Sequence, residues 1–125
     1  MRILNIVETA YRGTLEEQDD TILWLSQALR KGGADLTILL RGSAVNYVVP
    51  QQCPPLAIGD GGIRHPATPN EDLEKLAADG VEVFVLEDDL EERGLTRQKA
   101  NGHVTFVRSG EIAALFDSHD QVWHW

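Results

Sequence analysis

Residues 81–95, VEVFVLEDDLEERGL, decide the fold. Val81 to Leu86 is rich in β-branched and aromatic residues, as expected of a strand covered on both faces. Glu87, Asp88 and Asp89 then place carboxylates where a helix amino end wants them. Asp88 with Glu91, or Asp89 with Glu92, has the spacing of a cap for that helix. A buried strand that runs straight into a helix is half of a β-α-β unit. In open α/β sheets, chemistry is usually placed in such loops at the carboxyl ends of the strands. This loop offers Glu87, Asp88, Asp89 and Arg93, and no cysteine.

The same alternation extends in both directions. Ile3 to Val7 is nearly continuous apolar sequence, a second strand of the buried type. Thr14 and Glu17 have the spacing of a capping box, and the helix they open places Ile22, Leu25 and Leu29 on one stripe, with Trp24 and Ala28 beside it. Arg30, Lys31 and Gly32 suit its carboxyl end. Leu36 to Leu40 is the next strand, followed by a short helix over Ser43 to Val49. Asn70 caps a helix that turns Leu73, Leu76 and Ala77 inward and stops at Gly80. Beyond the acidic turn, His103 to Val107 reads as the fourth strand. Ser109 caps a last helix carrying Ile112, Ala113, Leu115 and Phe116. Asp120 to Trp125 is the fifth strand, with Trp123 and Trp125 on one face and Val122 and His124 on the other. Five strands joined by helices predict a three-layer α/β/α sandwich around a mainly parallel sheet, in one domain spanning residues 1–125.

One segment resists this reading. The 5 prolines of the chain all fall between Pro50 and Pro69, and no hydrophobic period survives there. A structureless run of about 20 residues in a small domain points to a lid, a binding loop or an oligomer contact. Gly59-Asp60-Gly61-Gly62 within it lacks the strand-then-helix context of a phosphate loop.

Composition removes several classes of function. The balance of 20 acidic against 11 basic residues, net −9, argues against a nucleic-acid surface. No apolar run approaches the ~20 residues of a membrane span, and Glu8 and Arg12 interrupt any leader-like stretch. A single cysteine cannot form an internal disulfide, which favours a cytoplasmic location. The histidines at 65, 103, 119 and 124 have no metal-ligand spacing, so neither a metal nor a cofactor is expected. A phospho-receiver domain shares the alternation, but the second and third strands supply no convincing acceptor set.

The acidic turn has a plain reading as a helix start, since carboxylates there satisfy free backbone N–H groups. Its functional reading is a polar cleft at the strand ends. Cys53, in the setting Gln51-Gln52-Cys53-Pro54-Pro55, is the lone candidate nucleophile. Reactivity would need a nearby cation or helix amino end, and the sequence-near candidates Arg41 and Arg64 are not adjacent to it.

The order of elements, LRGSAVNYVV after the second strand, and GVEVFVLEDDLEERGL followed by VTFVRSGEIAALF and a terminal strand resemble the DsrE/DsrF-like proteins over essentially the whole chain. The resemblance implies a small α/β protein of intracellular sulfur trafficking, such as a Tus-type relay or the Dsr proteins of sulfur oxidisers. It also implies assembly as a homo-oligomer, a trimer or hexamer, or with related DsrE-like subunits. Active members carry persulfide sulfur on a cysteine just after the third strand. Here that position reads Leu86-Glu87-Asp88, and a carboxylate cannot form a persulfide. Cys53 lies in a different loop.

Two readings follow. The first is a non-catalytic or divergent DsrE-like subunit that binds a partner or small ligand. The second is an independent ligand- or metal-binding protein, or enzyme, using Glu8, Tyr11, Arg12, Arg41, Asn46, Glu87 and Asp88. Both expect the first and third strands to lie near one another, so that Glu8, Tyr11 and Arg12 face Glu87 and Asp88. Trp123 and Trp125 are expected in a subunit interface.

Overall fold

The computed structural model describes residues 1–11, 20–51, 54–100 and 102–125. In chain order the elements are β1 (Arg2–Val7), α1 (Thr21–Lys31), β2 (Asp35–Leu40), a 3-10 segment (Gly42–Val48), β3 (Leu56–Ile58), β4 (Gly61–Ile63), α2 (Pro69–Ala78), β5 (Glu82–Leu86), α3 (Glu87–Glu92), a 3-10 turn (Arg97–Lys99), β6 (Thr105–Val107), a second such turn (Ser109–Glu111), α4 (Ile112–Asp117) and β7 (Gln121–His124). Five strands form one parallel sheet in the order β6-β5-β2-β1-β7. This is the sandwich that the alternation predicts.

Period-two alternation along the strands divides the core. Val7, Ile38, Leu40, Val83 and Val85 pack beneath α1, α2, α3 and the 3-10 segment, against Ile22, Leu23, Tyr47, Leu73, Leu76 and Leu90. Leu4, Ile6, Leu39 and Val107 face the other way, under Ile112, Leu115 and Phe116 of α4. The second layer is thin, because no residue of α4 is fully buried. Side chains such as Leu39, with no exposed surface, each contribute about 2 kcal/mol by burial.

Several expectations need correction. β2 lies between β1 and β5, so the first and third strands of the sheet are not neighbours. The segment from Pro50 to Pro69 is not structureless: β3 and β4 form an antiparallel hairpin. Its two-residue turn is Gly59-Asp60, with Gly59 at φ +56°, a conformation nearly free of strain only for glycine. The inward stripe of α1 runs through Ile22, Leu23 and Ser26; Trp24 is exposed and Leu25 is only half-buried. α2 starts at Pro69, one residue before its expected cap at Asn70, since proline is well suited to a first helical position. Neither Asp88 nor Asp89 caps α3, because both side chains have other partners. The fourth strand begins at Thr105 instead of His103.

The expected cap at Thr14 and Glu17 lies outside the described residues, and α1 is capped by Asp20. Its Oδ1 accepts from the N–H groups of Ile22 and Leu23, both at 3.1 Å. Its Oδ2 accepts from the Tyr47 hydroxyl at 2.6 Å, and that hydroxyl in turn accepts the Tyr11 N–H. Burial first, and Asp20 second, push the Tyr47 phenol well above its ordinary pKa. Removing Asp20 takes away a cap worth about 1 kcal/mol and leaves a buried hydroxyl unsatisfied at about 1–3 kcal/mol. Asp20→Ala is therefore expected to lose about 2–4 kcal/mol in urea denaturation, and Tyr47→Phe about 1 kcal/mol.

Candidate functional site

A parallel sheet collects the loops that follow its strands along one edge. Adjacent strand ends bring adjacent side chains together, so the sheet order decides which charges meet. Here it builds two clusters, one on each side of the end of β2.

The first cluster follows β5 and β6. Glu87 opens α3 and is only 7% exposed. Arg97 grips it with two bonds, Nε to Oε1 and Nη2 to Oε2, both 2.6 Å. This is the bidentate fork that matches guanidinium to carboxylate. The Arg97 guanidinium also lies 4.8 Å over the Phe106 ring, which adds a cation–π contact. Arg108, just past β6, reaches Glu87 at 3.5 Å and Asp88 at 3.4 Å, and donates to both oxygens of Glu91 at 2.8 and 2.9 Å. The Ser109 hydroxyl donates to Asp88 at 2.6 Å. The hydrogen bond from Arg97 holds the Glu87 carboxyl below its ordinary range despite burial, with Arg108 assisting. Asp88 is likewise lowered, chiefly by Ser109. Both arginines are held above their ordinary value, Arg97 by Glu87 and Arg108 first by Glu91.

The second cluster follows β1, β2 and β7. The Glu8 carboxylate lies 2.5 Å from His124 Nε2 and 3.8 Å from Arg41 Nε. Register explains both contacts, since Ile6 pairs with His124 and Val7 with Leu40. All three side chains are well exposed, so these pairs add little stability. Gly42 separates the two clusters. Its N–H donates to Asp89 Oδ2 at 2.6 Å, tying the end of β2 to α3. It sits at φ +55°, and a Cβ there would meet Glu8 Cγ at 2.9 Å, so only glycine fits without a shift.

The predicted site residues therefore divide. Glu8 and Arg41 come together, and Glu87 and Asp88 come together, but the two pairs do not face each other. Tyr11 turns away from both: its hydroxyl donates to Gln51 at 2.7 Å, and Gln51 donates to the Asn46 carbonyl at 2.6 Å. The Asn46 side chain closes its own turn on the Ser43 carbonyl at 2.8 Å. Arg12 and Cys53 lie outside the described residues. Arg93, the cation nearest the acidic turn in sequence, donates to the Asp89 carbonyl at 3.0 Å. The sequence reading missed Arg97, Arg108, Ser109 and His124. Arg108 and His124 had a partial signal, since each stands at the end of an expected strand. Arg97 had none. Among the described residues no group of three or more His, Cys, Asp and Glu is placed to hold a metal ion. No helix among them is long and apolar enough to cross a membrane.

No protein-family model matches the chain, and no curated protein matches it. Solved structures do. The ychN protein from E. coli aligns with a TM-score of 0.72 at 23% identity, over 99% of this chain and 98% of that one. A protein of unknown function from Methanobacterium thermoautotrophicum aligns with a TM-score of 0.65 at 13% identity, over 98% and 97%. A conserved protein of unknown function from Bacteroides thetaiotaomicron gives 0.67 at 13%, over 98% and 94%. The chain thus has a DsrE/ychN-like fold.

The lowered Glu87 and Asp88 values fix the sign of one pH effect. Their contribution to stability is full above the ordinary carboxylate range, about 4, and is lost as the pH falls through the depressed folded values. Glu87→Gln should lower the melting temperature at neutral pH. The gap to wild type should narrow as the pH approaches about 3, when measured by circular dichroism.

Proposed function

We propose that this protein is a divergent, non-catalytic DsrE/DsrF-like subunit of intracellular sulfur trafficking, acting in the cytoplasm and binding a partner or small ligand. One observation carries the reading. At the end of β5, where active proteins of that kind present a persulfide cysteine, this chain places Glu87, buried and bidentate to Arg97. Sulfane sulfur transfer needs a nucleophilic sulfur, and a carboxylate with both oxygens engaged offers none. Carboxylates nearby would also raise the pKa of any approaching thiol and reduce its thiolate fraction. The likeness in fold, which extends over nearly all of this chain, supports the family side of the proposal.

The rim formed by Glu8, Arg41 and His124 keeps exposed polar groups at the strand ends. It favours a second reading, an independent protein that binds a small polar ligand there. A homo-oligomer, a trimer or hexamer, or assembly with related subunits, belongs to the first reading.

Incubation with inorganic polysulfide, followed by intact mass measurement, separates activity from its absence. The expected result is no sulfur adduct of about 32 Da that passes on to an acceptor thiol, in the wild type as in Cys53→Ser. A transferable adduct lost in Cys53→Ser would make the protein a sulfurtransferase instead. Light scattering is expected to give an oligomer; a species at the monomer mass of 13.9 kDa would count against assembly.

A further inference from the structure

The hairpin of β3 and β4 is a sheet of its own. Its strands pair with each other, and among the described residues no third strand joins them. Two strands alone are marginally stable in water, and a further strand or a packed face is what makes such a unit hold. Leu56 is 47% exposed and Ile58 is 65% exposed. Both share a face with Ile63, because Leu56 pairs with Ile63 and Ile58 with Gly61.

The two outer edges of the hairpin differ. In an antiparallel pair, opposite residues alternate between exchanging hydrogen bonds and exchanging none. Ile58 and Gly61 close the two-residue turn and so form a bonded pair. Leu56 and Ile63 form the next one. Ala57 and Gly62 therefore turn their N–H and C=O groups outward. On the β3 side the next outward residue is Pro55, which has no N–H to offer. On the β4 side the residues beyond Gly62 are Asp60 and Arg64, and both have one. Among the described residues neither of these two side chains has a hydrogen-bond or ion-pair partner.

We infer that β4 is the contact edge of a two-fold dimer of this chain, in which the β4 strands of two copies pair antiparallel and the two hairpins become one four-stranded sheet. Self-pairing has few registers, and charge selects among them. With Gly62 opposite Gly62, the glycines exchange their outward N–H···O bonds, and Asp60 of each copy faces Arg64 of the other. Opposite charges directly across a ladder are favourable and like charges are not. A register centred on Asp60 sets the two aspartates together, and one centred on Arg64 sets the two arginines together. Registers centred on Gly61 or Ile63 leave both charges unpaired. In the selected register Ile63 of each copy also faces Gly61 of the other, whose missing side chain leaves it room beside Ile58. The same patch serves both copies, so the contact closes on itself. It rests on the assembly proposed above, whose contact it names, and is indifferent to sulfur handling.

Sedimentation equilibrium of the full chain tests the contact. Asp60→Arg sets arginine against Arg64, and Arg64→Asp sets aspartate against Asp60. Each should weaken the two-fold association about tenfold or more, since both pairs of the contact turn repulsive. Asp60→Arg combined with Arg64→Asp restores opposite charges and should recover association to within about threefold of wild type. In a Cys53→Ser background, Gly61→Cys with Ile63→Cys puts thiols on a non-bonded pair about 4.5 Å apart at Cα, and mild oxidation should give a covalent dimer. Neither cysteine alone should do so. An assembly unchanged in both charge variants, or one that the double variant fails to restore, would overturn this contact and leave the assembly itself standing. A wild type at the monomer mass of 13.9 kDa at high micromolar concentration would overturn both.

Discussion

A buried carboxylate organises the half of the structure on the α1 side of the sheet. Asp20 is 1% exposed, and an isolated charge at such depth would be prohibitively costly. It is tolerated because both oxygens are used, one on the first N–H groups of α1 and the other on the Tyr47 hydroxyl. Those bonds fix the entry of α1 relative to the 3-10 segment after β2. The Tyr11 N–H on Tyr47, with the two rings edge-to-face at 5.3 Å, extends the same node to the loop after β1. The Asp20 N–H points to Asp72 of α2 at 3.4 Å, and Lys75 stands 3.8 Å from that carboxylate. α1, the 3-10 segment, the loop after β1 and α2 are thereby registered around Asp20 and its partner Tyr47. Tyr11 itself sits at φ +58°, a strained conformation for a non-glycine residue that persists only where the surroundings hold it.

The fold was legible because its strands are buried on both faces. Ile3 to Val7 and Leu36 to Leu40 carry little polar sequence, and only a sheet between two helical layers makes such runs sensible. What failed was local. Leu56-Ala57-Ile58 and Gly61-Gly62-Ile63 flank Gly59-Asp60, a two-residue hairpin pattern, but the surrounding prolines masked it. The phase of α1 was misjudged by about one residue. Leu25 and Leu29 look like core positions by period alone, yet Ser26 takes the most buried place because it bonds Asn5. Hydrophobic period cannot anticipate a buried polar pair.

Half of the candidate site was legible, for a topological reason. Sequence order fixes which residues end strands, but it does not fix which strands touch. With β2 between β1 and β5, Glu8 finds Arg41 and His124, and Glu87 finds Arg108 and Arg97. Arg97 belongs to a 3-10 turn that returns across the end of the sheet, a path no periodicity encodes. The acidic turn was rightly seen as a place where carboxylates gather. Of the arginines that decide its chemistry, Arg108 showed only as the residue after a strand, and Arg97 was invisible.

That pairing changes what the strand-end position can do. Glu87, Asp88 and Glu91 face Arg97 and Arg108, so three negative groups meet two positive ones in a compact network. Each arginine is held in its charged form, and Glu87 and Asp88 in theirs. A general acid or base at neutral pH needs a pKa near 7, and these shifts move both carboxyls away from it. The fork from Arg97 engages both oxygens of Glu87 and fixes the carboxylate in place. The strand-end position is therefore a fixed network of ion pairs that ties α3 to the segments on either side of β6.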